Sequence, residues 1–495
     1  MRYLMALVAA SVTLAQGGPA GARVGQYPFA VTHEGQMLGA VQGDVASYKG
    51  LAYAAAPLGR LRWRAPQPLP ESSEMRTAYD DGAACPQPAV RETSENCLTL
   101  NVFRPFGVDG PLPVMVFVHG GSFVAGAASD PLFDGSKLAQ AGLIVVVPNY
   151  RLGAFGFFAH PALTGDASER GGNFGLMDLI AALRWIHDNV AAFGGDAGNV
   201  TLFGEGSGAT MIALLMLAEQ SRALFHKAIL QSIPGRERLP STAAADATAR
   251  EFLEIVGRVG KGFDPRAADA RLLLAAEELL LMRSSRRFGP MVDGALVTED
   301  VADGFAAGRE SRIPLIIGSN DDETSLGRAS DLKTELDLAG ASAEELRKLY
   351  PDVGAAPVNL AAQLYTDRVF TEPVRLLARS HAATGASTFR YRFACSPEAQ
   401  NADDSHGREL QFVFGVEGVP GAGVLSRGDR EVASALRSYW TNFAKTGDPN
   451  GQGLPRWDAS ADRERLLLIS NERITSGADP WSARLDRLAR RSPKG

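Results

Sequence analysis

Val200-Thr201-Leu202-Phe203-Gly204-Glu205-Gly206-Ser207-Gly208-Ala209-Thr210-Met211 is the stretch of sequence that decides the fold. It begins with a short run of β-branched and aromatic residues, continues through alternating glycines, and leads into an apolar run that ends at Leu217. The first run favours a strand, the glycines favour a tight turn, and the last run is long enough for a helix. The stretch therefore predicts a strand, a sharp turn and a helix in direct succession.

Further apolar runs along the chain have the length and composition of buried strands. Strands are predicted at 98–103, 113–118, 143–147, 227–231 and 313–317, and a helix with one apolar face is predicted from Asn173 to Val190. Strands that alternate with helices indicate an α/β chain with a mostly parallel sheet. Short runs broken by glycines between Phe29 and Tyr53 predict antiparallel strands at the sheet edge.

Two stretches, near 241–310 and 342–385, are rich in helix signals and poor in strand signals. Asp264 followed by Pro265 predicts a helix that starts there, and Ser342 followed by Glu345 has the spacing of a capping box. We expect both stretches to be helical insertions that cover the carboxyl edge of the sheet.

Composition limits the classes of function that the chain can have. The 495 residues are 45% hydrophobic and 21% charged, which is ordinary for a folded globular protein. The net charge is −6, and no dense block of lysine and arginine occurs in the body of the chain, which argues against a nucleic-acid partner. No later run reaches the roughly 18 apolar residues of a transmembrane helix.

The N-terminus has the order of features that a secretory signal requires. Met1-Arg2 precedes an apolar run from Leu4 to Leu14, and Ala20-Gly21-Ala22 supplies a small-residue cleavage site. We therefore predict a signal peptide at 1–22, a single mature domain at 23–495, and a secreted or periplasmic location.

The chain has three cysteines, Cys85, Cys97 and Cys395. They are too few and too scattered for a metal cluster. Export would favour a disulfide between Cys85 and Cys97, which closes a short loop and contributes about 3 kcal/mol in the chain-entropy model. Cys395 is then an unpaired thiol that we expect to be buried.

A dinucleotide site is an alternative interpretation of the glycine-rich turn. Gly204, Gly206 and Ala209 formally match G-x-G-x-x-G/A. That fold needs an acidic residue at the end of the next strand, about 20 residues on, and Lys227–Gln231 contains none. No His-Glu-x-x-His pattern occurs either. We expect neither a cofactor nor a metal.

Several motifs in a fixed order resemble the type-B carboxylesterase/lipase family, which includes cholinesterases and bacterial para-nitrobenzyl esterases. They are SENCLTLNV at 94–102, HGGSF at 119–123, NYRLG at 149–153, the stretch 171–204, GSNDDE at 318–323 and SHGREL at 405–410. The resemblance covers most of the chain. It implies an α/β-hydrolase fold with helical cap insertions and hydrolysis of small-molecule carboxylic esters through an acyl-enzyme. Oligomeric state is not predicted.

The same resemblance implies roles for particular residues. Glu323 matches the acid and His406 matches the general base of a Ser-Glu-His triad. Gly121, Ser122 and Ser207 match the backbone donors of the oxyanion hole.

The chain departs from the family at the nucleophile. The family has Gly-Glu-Ser-Ala-Gly at 204–208, whereas this chain has Gly206 in the place of the serine. Three explanations compete: an inactivating substitution in an esterase, a natural non-catalytic binding protein of carboxylesterase type, and a nucleophile shifted to Ser207. The last is disfavoured, because adjacent α-carbons lie about 3.8 Å apart and their side chains diverge on a tight turn, while a base must lie within about 3 Å of the proton that it takes.

Overall fold

The computed structural model describes residues 27–88, 90, 92–160, 172–257, 264–284, 286–326, 331–395, 405–460 and 464–490. The predicted signal peptide at 1–22 lies outside these residues. The strands are β1 (Phe29–Thr32), β2 (Gly35–Leu38), β3 (Ala40–Gln42), β4 (Val45–Ala52), β5 (Met75–Thr77), β6 (Thr99–Pro105), β7 (Leu112–Val118), β8 (Ile144–Pro148), β9 (Gly195–Glu205), β10 (Lys227–Gln231), β11 (Leu315–Asn320), β12 (Thr388–Ala394), β13 (Arg465–Ser470) and β14 (Ile474–Ala478).

The α-helices occupy the connections between these strands. They are α1 (Ser136–Gln140), α2 (Gly153–Phe157), α3 (Phe174–Asn189), α4 (Ser207–Leu217), α5 (Thr242–Gly257), α6 (Ala270–Ser284), α7 (Val301–Ala306), α8 (Leu332–Ala339), α9 (Ala343–Leu349), α10 (Pro357–Thr366), α11 (Glu372–Ala383), α12 (Arg408–Phe414), α13 (Arg427–Thr446) and α14 (Ser482–Ala489).

Most strands belong to one sheet of eleven strands, in the order β14-β13-β12-β11-β10-β9-β7-β8-β6-β4-β3. From β8 to β13 each neighbouring pair is parallel. The two ends of the sheet are antiparallel. The predicted α/β fold with a mostly parallel sheet is therefore confirmed, and so are the antiparallel strands predicted between Phe29 and Tyr53.

The centre of the sheet is buried on both faces. Along β7, Val114, Val116 and Val118 pack into one apolar cluster, while Met115 and Phe117 pack into the cluster on the other face. Side chains alternate between the faces of a strand, so a strand covered on both faces is a nearly continuous apolar run. This is why the run at 113–118 identified a central strand.

The helix-rich stretches of the sequence contain α5 to α7 and α9 to α11. Ser342 caps α9, because its side chain accepts a hydrogen bond from the backbone N–H of Glu345 at 3.2 Å. The helix start predicted at Asp264 is wrong, since α6 begins at Ala270. Asp264 instead accepts from the backbone N–H of Arg266 at 2.9 Å. A short polar side chain before proline therefore closes a local turn rather than starting a helix.

Cys85 and Cys97 form the predicted disulfide, with an S–S distance of 2.02 Å. Cys395 is a free, buried thiol, and burial raises its pKa to about 12. Within the described ranges, no helix has the length and apolar character needed to cross a bilayer. In the same residues, no group of three or more His, Cys, Asp or Glu side chains is arranged to hold a metal ion.

Candidate active site

The glycine-rich turn links β9 directly to α4. β9 ends at Glu205 and α4 begins at Ser207, so Gly206 alone makes the turn. Gly206 has φ 57° and ψ −121°, a conformation that is costly for residues with a side chain. Glycine is also needed at position 208, where a Cβ would lie 2.0 Å from the carbonyl oxygen of Val118. The turn therefore places position 206 at the carboxyl edge of the sheet, where α/β folds bind ligands.

His406 lies against this turn, in the segment that leads into α12. Its Nδ1 is 2.5 Å from Oε2 of Glu323, and its Nε2 is 2.6 Å from Oε1 of Glu205. Its backbone N–H donates to the hydroxyl of Ser325 at 2.7 Å. Burial lowers the pKa of His406, but the negative charges of Glu205 and Glu323 outweigh it and hold the pKa well above its ordinary value.

Glu323 is fully buried just beyond the end of β11. Its Oε1 accepts hydrogen bonds from the hydroxyl of Ser232 and from the backbone N–H of Asn320, both at 2.7 Å. Burial raises the pKa of Glu323, while His406 acts in the opposite direction. These contacts fix the carboxylate so that its second oxygen faces the imidazole.

The neighbouring acids, Asp321 and Asp322, have other contacts. Asp322 accepts from the backbone N–H and the hydroxyl of Thr324, at 3.0 and 2.7 Å. Asp321 lies 3.8 Å from Arg408. Of the three consecutive acids, Glu323 is thus the one that the structure brings to His406.

Position 206 faces the imidazole. A Cβ on Gly206 would lie 2.9 Å from Nε2 of His406. This is closer than side chains normally approach, so the imidazole would have to shift if position 206 carried a side chain. Position 206, where the sequence predicts the nucleophile, therefore lies next to Nε2 of His406, the nitrogen that would act as the base.

The loop after β7, residues 119–126, lies beside the turn. We call it the oxyanion loop, because it contains the predicted oxyanion donors Gly121 and Ser122. Val118 is the register partner of Gly204, so β7 and β9 leave the sheet side by side. Gly121, Ser122 and Phe123 all have positive φ, at 105°, 55° and 64°. The two residues with side chains are strained there and must be held by their surroundings.

Several contacts hold the oxyanion loop. The backbone N–H of Phe123 donates to the hydroxyl of Ser207 at 3.3 Å. The hydroxyl of Tyr150 donates to the carbonyl of His119 at 2.8 Å, and the two rings stack with centroids 4.4 Å apart. Burial lowers the pKa of His119 to about 4, so this imidazole is neutral. Gly121, Ser122 and Ser207, the predicted oxyanion donors, thus meet at one edge of the sheet.

Sequence reasoning gave no role to Glu205, Ser232 or Glu409. Glu409 is fully buried and accepts from Gln231 at 2.9 Å and from Asn320 at 2.7 Å. Burial, together with the charges of Glu205 and Glu323, raises its pKa to about 7. A usable signal existed for two of them, since Glu205 and Ser232 lie at the carboxyl ends of neighbouring strands.

A parallel sheet whose central strand turns sharply into a helix, with a carboxylate-bound histidine facing the turn, defines an α/β-hydrolase. The model of the Carboxylesterase family matches residues 26–352 and 343–479. The chain belongs to the carboxylesterase family, whose members hydrolyse carboxylic esters.

Individual relatives agree with this assignment. The chain is 34% identical to para-nitrobenzyl esterase of Bacillus subtilis (strain 168), over 93% of this chain and 98% of that protein. It is also 34% identical to fumonisin B1 esterase of Sphingopyxis macrogoltabida, over 89% and 86%. The solved structure of Geobacillus stearothermophilus carboxylesterase EST55 superposes with a TM-score of 0.83 at 31% identity, covering 93% of this chain and 100% of that one. The α/β-hydrolase fold and the family predicted from the sequence are confirmed.

Proposed function

We propose that this chain is a carboxylic ester hydrolase of the acyl-enzyme type whose nucleophile position holds Gly206. As it stands, it should hydrolyse small-molecule esters only weakly. The observation that carries the proposal is the 2.9 Å between a Cβ on Gly206 and Nε2 of His406. A serine hydroxyl at this position would lie beside its general base, whereas glycine has no atom that can form an acyl-enzyme.

The remaining residues have the roles of a serine hydrolase. His406 is the general base, and Glu323 orients its ring through the 2.5 Å contact with Nδ1. The backbone N–H groups of Gly121, Ser122 and Ser207 stabilise the oxyanion that forms on the substrate carbonyl. Residual turnover in the absence of a nucleophile comes from this oxyanion hole and from substrate binding, which in a comparable case retained about 10³ to 10⁴ over water.

A shifted nucleophile at Ser207 has little support. The Ser207 hydroxyl accepts from the backbone N–H of Phe123 at 3.3 Å. This contact directs it towards the oxyanion loop rather than towards His406.

One observation favours a non-catalytic binding protein as the second candidate. Glu205 and Glu323 hold the pKa of His406 well above its ordinary value, which favours the protonated imidazole over the neutral form that a general base requires. A serine at 206 would require the imidazole to shift, and the two candidate functions predict different activities for this variant.

Gly206→Ser is the experiment that separates them. With p-nitrophenyl acetate and butyrate, we expect a gain of at least about 10³ in kcat, because the triad acts as a unit. Gly206→Ala is the matched control, since it adds the same Cβ without a hydroxyl and should stay at the starting rate. The gain should vanish when His406→Ala is added to Gly206→Ser. A folded Gly206→Ser variant that gains nothing with short, long and aromatic esters would favour the binding protein.

We also propose that the chain is exported. Disulfides persist in oxidising compartments outside the cytosol, and the Cys85–Cys97 disulfide supports such a location. Protein isolated from the periplasm or culture medium should begin at Arg23, directly after the small-residue site, as N-terminal sequencing would show. An intact Met1 on the isolated protein would contradict export through a cleaved signal.

A further inference from the structure

Glu277 is a buried carboxylate on α6 that the proposed mechanism does not use. Its exposure is 9%, and Leu273, Ala276 and Leu280 on the same face of the helix are buried as well. Burying a carboxyl group among apolar side chains is unfavourable unless a partner compensates. Burial raises its pKa to about 7, and the position therefore calls for an explanation.

The partner of Glu277 is the backbone at the start of α2. Its Oε2 accepts a hydrogen bond from the N–H of Ala154 at 3.1 Å. Both carboxylate oxygens also lie directly over Gly153, where a Cβ would be 2.4 Å from Oε1 and 2.6 Å from Oε2. Gly153, at φ 48°, is thus the residue that allows α6 to approach the backbone this closely.

The same backbone segment holds the oxyanion loop. The N–H of Gly153 donates to the carbonyl of Phe123 at 2.8 Å. Phe123 follows Ser122, and both have the strained positive φ described above. On its other side, the N–H of Phe123 donates to Ser207 at 3.3 Å. A continuous path of short contacts therefore joins the carboxyl group on α6 to the peptide next to the oxyanion donors.

We propose that Glu277 is a positioning residue for ester hydrolysis, which fixes the oxyanion loop through the backbone of Gly153 and Ala154. This inference rests on the proposed function, because it assigns Gly121 and Ser122 as oxyanion donors. Without the Glu277 contact, the start of α2 loses its anchor to α6 and the carbonyl of Phe123 loses a fixed partner. The donors then meet the developing oxyanion at a poorer distance and angle.

The kinetic test uses the Gly206→Ser background, in which hydrolysis is measurable. Adding Glu277→Ala should lower kcat at least about tenfold, since loss of a single oxyanion donor costs about 10² to 10³. KM for p-nitrophenyl acetate should change by less than about threefold, because the residue acts on the transition state through the loop. Glu277→Gln should rescue kcat, since an amide oxygen can accept the hydrogen bond of Ala154. Glu278→Gln, at the exposed neighbouring position, is the matched control.

A second readout does not depend on activity. This measurement uses the chain that retains Gly206. Hydrogen exchange across residues 119–126 should become faster when Glu277→Ala is introduced and stay unchanged when Glu278→Gln is introduced. A loss of thermal stability in Glu277→Ala with unchanged kcat and unchanged exchange would overturn the positioning role and leave a packing residue. If Gly206→Ser itself stays inactive, the proposed function fails. In that case the exchange measurement alone tests the positioning role of Glu277. Unchanged exchange in Glu277→Ala would contradict that role, and faster exchange would support it.

Discussion

Replacing Gly206 by alanine should destabilise the folded chain without supplying a nucleophile. The backbone at this position has φ 57° and ψ −121°, and a residue with a side chain in such a sparsely populated region costs about 1–3 kcal/mol. Alanine recovers about 0.4–1 kcal/mol, because the unfolded chain loses the freedom of glycine. The expected net loss of unfolding free energy is therefore about 1 kcal/mol, within a range of roughly 0 to 2.6 kcal/mol.

The contact with His406 adds to this loss. The new Cβ would lie 2.9 Å from Nε2, so the imidazole must move from the position in which Nε2 lies 2.6 Å from Oε1 of Glu205. Gly340→Ala is a matched control for the backbone cost, because Gly340 ends α8 at φ 58° and ψ 41° and has open space where a Cβ would point. At position 340, alanine costs about 1–2 kcal/mol because its backbone is left-handed. This cost is largely offset because alanine reduces the conformational freedom of the unfolded chain.

Thermal unfolding at one fixed scan rate measures the difference. The entropy of unfolding is about 2.1 cal/mol/K per residue, so for a chain of 495 residues each kcal/mol lowers Tm by about 1 °C. We expect a fall of about 1–3 °C for Gly206→Ala and less than about 1 °C for Gly340→Ala. Adding His406→Ala should remove the part of the difference that comes from the imidazole. A Gly206→Ala chain as stable as its parent would refute the argument from backbone strain.

Two further predictions concern stability. Replacing both Cys85 and Cys97 by alanine should cost about 3 kcal/mol, since the closed loop is short; alkylation of both in native protein without reductant, seen by intact mass, would contradict the disulfide. Burial raises the pKa of Glu277 from 4.5 to about 7, so the stability that this group contributes is complete below pH 4.5 and is lost as pH rises through 7. Between pH 5 and 8, the Tm of Glu277→Gln should therefore fall less than the Tm of the parent chain. An equal fall of Tm in both would count against the raised pKa of Glu277.

The central strands could be predicted from the sequence, but β12 could not. β12 contains Arg390 and Arg392, which are both buried. Arg390 pairs with Asp479 at 2.8 Å, and Arg392 lies over the ring of Trp481 at 4.4 Å. A strand in which arginine alternates with aromatic residues has the sequence pattern of a solvent-exposed strand, because the partners of its arginines lie far along the chain. Only the folded chain shows that these charges are compensated.

The candidate site, like the fold, could be predicted from the sequence only in part. Gly206, Glu323 and His406 were assigned from the sequence because the order of its motifs matches that of the carboxylesterase family. The contact between His406 and Glu205 could not be predicted, since it depends on how closely an imidazole approaches when no side chain stands at 206. The contact of Glu277 could not be predicted from the sequence either. Its partner Ala154 lies 123 residues away, and the contact is with the backbone rather than with a side chain.

The spread of the site along the chain has a kinetic consequence. Glu323 and His406 are 83 residues apart, and β12, which pairs with β11, lies between them in the chain. Contacts between distant residues form slowly, because the closing of long loops must precede them. A partly folded chain in which these contacts have not formed can thus have the glycine-rich turn and the oxyanion loop in place while it still lacks its base. Hydrolysis by a restored serine would then begin only after the C-terminal strands have joined the sheet, and the unfinished protein would remain inert towards the esters around it.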